Sequence, residues 1–159
     1  MATEDTQRRS DVEDTIRRVL DRNRLAVLAT QHGGQPHASL MAFTPIEGLR
    51  YIIFATYRGT LKYQSLAEDG RVAVLVDDGD GDGTRRRGRV VLTAIGEAVE
   101  IPDEERPAHI AAHLARHPDL SEFLRSPDCV LVRVAVAAYQ VVGGIDDVEW
   151  YHVDAPAAA

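Results

Sequence analysis

Lysine is nearly missing from this chain. One residue, Lys62, stands against 17 arginines, so the compact point charge of an ammonium is used once where a planar guanidinium fork is used everywhere else. Cysteine is just as scarce. Cys129 is the sole thiol in 159 residues, which excludes an intrachain disulfide and points to a reducing compartment. No apolar run approaches the roughly 20 residues that a bilayer crossing needs, and the longest, Val134 to Val142, is interrupted by Gln140. The first ten residues are polar and lack the apolar centre of a signal peptide, so a cytoplasmic protein with no membrane partner is expected. Bases are outnumbered, 18 against 25 acids for a net charge of −7, which argues against a nucleic-acid partner or an anionic surface. Neither a Gly-x-Ser-x-Gly elbow, a Gly-x-Gly-x-x-Gly fingerprint nor a P-loop is present.

What remains is ordinary for one soluble domain: 45% hydrophobic and 27% charged residues. A flexible stretch 1–10, a folded domain 11–153 and a flexible tail 154–159 are expected. Ser10-Asp-Val-Glu13 has the spacing of a capping box, and Val12, Ile16, Val19 and Leu20 follow at helical intervals. Short apolar runs come next, Leu25 to Thr30, Pro36 to Thr44 and Tyr51 to Thr56. They are separated by glycine-bearing turns and read as a three-strand antiparallel meander. Thr60 is placed to cap a short helix reaching Glu68. Strands are expected at Arg71 to Val76, Arg89 to Val99, Cys129 to Val136, Tyr139 to Gly144 and Val148 to Val153. A helix is expected from Pro102 to His117, stopped by Pro118, with a further helical turn at Leu120 to Leu124. The fold class is mainly β (α+β): an antiparallel split β-barrel with accessory helices.

Three constellations are candidates for chemistry. Phe54-Ala-Thr-Tyr-Arg-Gly-Thr-Leu-Lys62 runs from a strand into a helix start, where unpaired amides and the helix dipole favour an anion. A cation there is unfavourable unless something negative compensates it, so Thr56, Arg58, Thr60 and Lys62 together read as a phosphate turn; a stray surface lysine is the plain alternative. Asp78-Gly-Asp80-Gly-Asp82-Gly83 opens like a calcium loop, but its twelfth position is Arg89 and not a closing Glu, so a solvated hairpin loop is the better reading. His109, His113 and His117 recur every fourth residue, but the outer two are separated by about 12 Å at ~1.5 Å per residue. They are expected to be surface histidines and not a metal site. Cys129 opens a buried strand and reads as a small hydrophobe. No side chain presents itself as a catalytic acid, base or nucleophile.

In order and spacing, these segments resemble the pyridoxamine-phosphate-oxidase-like flavin-binding split barrels, over residues 11 to 153. The carriers are Leu25-Ala-Val-Leu-Ala-Thr30, Gly-x-Pro-His-Ala-Ser-Leu-Met41, the Phe54 to Lys62 segment and Arg71-Val-Ala-Val-Leu-Val76. The second half, with Arg116-His-Pro118, Phe123, Pro127 to Arg133 and Tyr139 to Trp150, is similar to the haem-utilisation branch of that superfamily. The resemblance implies FMN as cofactor. Ser39, Leu40 and Met41 would lie along the flavin ring, and Thr56, Thr60 and Lys62, flanked by Ala55 and Leu61 and assisted by Arg58, would hold the phosphate. It further implies a homodimer with Trp150 near the interface, and a flavin-dependent oxidoreductase acting on a small organic substrate. Haem, with a His from the 109–117 helix or His152, and a deazaflavin are the alternative ligands; binding without turnover is another alternative. Leu61 stands where the oxidase proper has Arg, and Val91 where it has a flavin-reaching Gln, so oxidation of vitamin B6 itself is not expected.

Overall fold

Period-two burial organises the molecule. The computed structural model describes residues 1–79, 88–144 and 146–154. In it strand β1 (Leu25–His32) buries Ala26, Leu28 and Thr30, and the residues between them face the other way. Strand β2 (Gln35–Ala42) folds back on β1 in register from Leu25↔Ala42 to His32↔Gln35. The turn joining them holds Gly33 at φ 57° and Gly34 at φ 82°, the left-handed pair that a two-residue hairpin favours.

Strands β3 (Thr44–Ile46), β4 (Tyr51–Tyr57), β5 (Arg71–Asp77), β6 (Val90–Glu100), β7 (Cys129–Gly143) and β8 (Asp147–His152) complete an antiparallel sheet. Its order is β2-β1-β5-β6-β7-β4-β3, with β8 added to β7. The sheet curls into a split barrel. Strands β2 and β4 approach each other without forming ladder bonds, and the barrel stays open along that line. Leu28, Phe43, Phe54, Val74, Leu92 and Val134 are among the inner core, and helix α1 (Ala2–Arg22) adds Ile16, Val19 and Leu20 from one face. A second core lies on the outer side of the sheet. There Ile53, Ala55, Cys129 and Leu131 are covered by Ile110 and Leu114 of helix α3 (Arg106–Arg116) and Phe123 of helix α4 (Ser121–Arg125).

The expected meander does not form. The third strand segment, β4, pairs with β3 and, from Tyr51↔Ala135 to Tyr57↔Cys129, with β7. Every residue from Ile52 to Thr56 is buried, and a strand apolar on both faces needs cover on both, which a solvated meander lacks. The two late strands are one 15-residue strand. The expected gap is a bulge, where pairing steps from Ile95↔Ala138 to Gly96↔Val136 and leaves Ala137 as the extra residue. Opposite it, a Cβ on Gly96 would lie 2.1 Å from the Ala135 carbonyl oxygen, so only glycine fits. Helix α1 begins at Ala2, not at Ser10, with Glu4 and Asp5 in its first turn to complement the dipole. Helix α3 begins at Arg106, because Pro102 to Glu105 form a turn in which the amides of Glu105 and Arg106 donate to the Pro102 carbonyl at 3.0 and 3.1 Å.

The histidines also depart from expectation. His113 is fully buried and His117 nearly so. Helix α3 presents Ile110, His113, Leu114 and His117 to the protein at the i, i+3, i+4, i+7 spacing, and the two rings lie 4.8 Å apart. His113 Nδ1 bonds to Thr44 Oγ1 at 2.8 Å, and His117 Nε2 donates to the Phe43 carbonyl at 2.7 Å. Asp80, Asp82 and Arg85 to Arg87 lie outside the described residues. Asp78 accepts from Asn23 at 3.1 Å and pairs with Arg22 at 3.7 Å. No helix among the described residues is long and apolar enough to cross a membrane.

Candidate functional site

Helix α2 (Leu61–Glu68) starts directly after the turn that ends β4. Thr60 is its N-cap: its hydroxyl accepts the Tyr63 amide at 3.3 Å and donates to the Tyr57 carbonyl at 2.9 Å. Thr56, buried on the inner face of β4, places its hydroxyl 3.1 Å from that of Thr60. The Thr60 proton is therefore used inside the turn, and the Thr56 hydroxyl is engaged with it. What remains for an anion is the ammonium of the half-buried residue Lys62, which has no ion pair with any described residue, and the amides of Leu61 and Lys62 at the helix start. No acidic residue lies in the first turn of α2. A positive dipole end and a lysine thus stand together uncompensated by protein, an arrangement that fits a phosphate.

Arg58 is placed differently from its expected auxiliary role. Its guanidinium donates to Glu100 at 3.1 Å and to the Tyr63 hydroxyl at 2.9 Å, and that hydroxyl donates to the other Glu100 oxygen at 2.9 Å. The Glu100 carboxylate, with a smaller effect of burial, pushes the Tyr63 phenol above its ordinary range. This closed ring ties the turn to the end of β6. Glu100 is 42 residues away in sequence, and no local pattern announces it. At the other end of α2, Glu68 meets His32 at 2.9 Å and Asp69 accepts from Gln31, which docks the helix on the β1–β2 hairpin.

The ring-side residues divide by strand alternation. Met41 is buried in the inner core, Ser39 is half-buried on the same side, and Leu40 points outward with 68% of its surface exposed. Among the described residues β2 pairs only with β1, so its free edge offers backbone amides and carbonyls beside the split. Ala55 lies in the outer core, on the opposite face of β4 from Thr56, and Leu61 is exposed. Trp150 is 49% exposed, which removes it from the barrel core; its neighbour Tyr151 takes the inward position and donates to Glu13 at 2.9 Å.

Trp150 ends a row that crosses the outer face of the sheet. The registers align Leu40, Val27, Leu75, Thr93, Gln140 and Trp150 on successive strands, with Ala38, Ala29, Ala73, Ile95, Ala138 and His152 in the adjoining row. Leu40, Leu75, Ile95 and Trp150 are all exposed, and neither row carries a carboxylate, lysine or arginine. No group of three or more His, Cys, Asp or Glu side chains among the described residues forms a metal cage.

A curled antiparallel sheet, open between β2 and β4 and flanked by single helices, defines the split-barrel fold. A family model described as pyridoxamine 5'-phosphate oxidase matches residues 12–143, and the chain belongs to that family. No curated protein matches it. Among solved structures it is similar to a protein of unknown function from Agrobacterium tumefaciens, at 29% identity and TM-score 0.75, over 85% of this chain and 57% of that one. It is also similar to a haem-binding protein from Mycobacterium smegmatis, at 20% identity and TM-score 0.77, over 86% and 55% of the two chains. A FAD-binding protein from Mesorhizobium loti matches at 22% identity and TM-score 0.64, over 81% and 89%. The chain spans little more than half the length of the first two.

Proposed function

We propose that this protein is a homodimeric FMN-binding split barrel that acts as a flavin-dependent oxidoreductase on a small organic substrate. The observation carrying this reading is Lys62, an unpaired cation at a helix N-terminus that has no acidic residue in its first turn. Lys62 and the first two amides of α2 would hold the FMN phosphate, with Thr60 and Thr56 setting the turn that aims them. The free edge of β2 beside Ser39 would receive the flavin ring. When bound, the flavin supplies the electron transfer, and the protein supplies orientation and exclusion of water. A deazaflavin cofactor presents a phosphate to the same turn.

The uncharged rows through Leu40, Leu75, Ile95 and Trp150 are the face on which a second copy of this chain would dock, since an apolar face of this breadth is unusual on a monomer. The family match and a FAD-binding relative of the same fold support the flavin reading.

Haem is the second reading, favoured by His152. Its side chain is exposed in the apolar row with Ile95 and Ala138, whereas His113 and His117 are buried and already bonded. An absorption spectrum of the purified protein, before and after soaking with FMN and with haemin, separates the two. Flavin bands support the first reading, a Soret band supports the second, and a protein that stays colourless in both soaks contradicts both.

A further inference from the structure

We propose that a cleft of about 550 Å³, between α3, α4 and the β4–α2 turn, binds a small organic monocarboxylate with an aliphatic or aromatic body. The cleft lies on the outer side of the sheet, on the opposite face of β4 from Thr56, and Arg58 of the β4–α2 turn reaches its rim. Its floor is apolar: Ile110 and Leu114 from α3, Leu124 from α4, and Cys129 at the start of β7. Cys129 is buried, and burial pushes its thiol up against the opposing pull of Arg106, so the sulfur stays neutral and counts as floor.

The rim is charged, with Arg58, Arg106 and Arg125 set against Glu100 and Asp103. These groups are not equivalent. Arg58 and Glu100 neutralise each other at 3.1 Å. Arg106 is half-buried and held by one nitrogen, which donates to the Cys129 carbonyl at 3.0 Å, so the rest of its fork is pre-positioned. Arg125 ends α4, and its side chain makes no hydrogen bond or ion pair with any described residue. Two arginines therefore face one free carboxylate, Asp103, leaving one net positive charge beside an apolar floor. One charge matches a monoanion. A phosphate dianion would meet Asp103 and Glu100 without enough cations to balance it, and a neutral alcohol would leave both forks unfilled.

Titration of the full chain with hexanoate, hexan-1-ol and inorganic phosphate, followed by the methyl resonances of Ile110, Leu114 and Leu124, tests this. Saturable shifts with hexanoate are expected, with hexanol and phosphate at least about tenfold weaker, the loss of one charge-assisted contact. Arg125→Ala, which removes no side-chain hydrogen bond or ion pair with any described residue, should weaken hexanoate by about tenfold or more, while Lys62→Ala leaves it unchanged. The proposal is overturned by absent methyl shifts, by phosphate binding as tightly as hexanoate, or by full affinity in Arg125→Ala. Loss of hexanoate binding in Lys62→Ala also overturns it, because the anion would then sit at the helix start.

Discussion

The hydroxyls of Thr56 and Thr60 lie 3.1 Å apart, joining the last inward residue of β4 to the cap of α2. The contact sets where α2 begins, and so where its free amides and Lys62 point. A Thr60→Ala variant loses the cap and should cost about 1 kcal/mol, with faster amide exchange confined to the first turn of α2. Thr60→Ser keeps the hydroxyl and should retain most of that protection. Equal exchange in both variants would show that the cap does not hold the turn.

Gly96 faces the Ala135 carbonyl across the bulge, with room for no side-chain carbon. Gly96→Ala should lower stability by at least about 2 kcal/mol, the scale of overpacking in a rigid site, read as a shift in the denaturant midpoint. A neutral substitution would mean that β6 and β7 separate locally at little cost.

His113 gives the fold an acid limit. Burial above all, then the charges of His117 and Arg116, lower its pKa from 6.5 to about 4. Between those values the unfolded chain binds a proton that the folded chain refuses. The stabilisation is complete above about pH 6.5, falls as pH drops towards 4, and loses nothing more from this group below that. The full contribution is about 3 kcal/mol at ~1.36 kcal/mol per pH unit. Urea midpoints measured across this window should flatten in His113→Gln; an unchanged slope would assign the acid sensitivity to other groups.

Leu40 and Leu75 lie in the same cross-strand row on the exposed sheet face. If a second copy covers that row, Leu75→Arg buries an unpaired charge at the interface and should convert dimer to monomer without loss of fold, as read by light scattering with circular dichroism. A variant as dimeric as the parent would move the interface elsewhere.

Local signals made much of this fold legible. Paired glycines marked the first hairpin, Pro118 ended α3, and the Thr60 cap was visible because capping is decided within four residues. Long-range pairing was not. Nothing near Tyr51 to Tyr57 says that it lies beside Cys129 to Ala135, and its apolar run reads as a meander strand although both its faces are covered. The burial of His113 was hidden by residue type: its helical spacing with Ile110, Leu114 and His117 is that of a core stripe, and histidine is not counted as apolar. At the candidate site Lys62 stood out by composition. The diversion of Arg58 to Glu100 did not, because the partner arrives from the end of another strand.

If Lys62 and the start of α2 hold a cofactor phosphate, binding depends on that phosphate and on that side chain. Affinities of FMN and riboflavin, which differ only by that phosphate, measured in the parent protein and in Lys62→Ala, test it most directly. A preference for FMN of about tenfold or more is expected in the parent, largely lost in Lys62→Ala while riboflavin binding is unaltered. An undiminished preference for FMN in Lys62→Ala would contradict it.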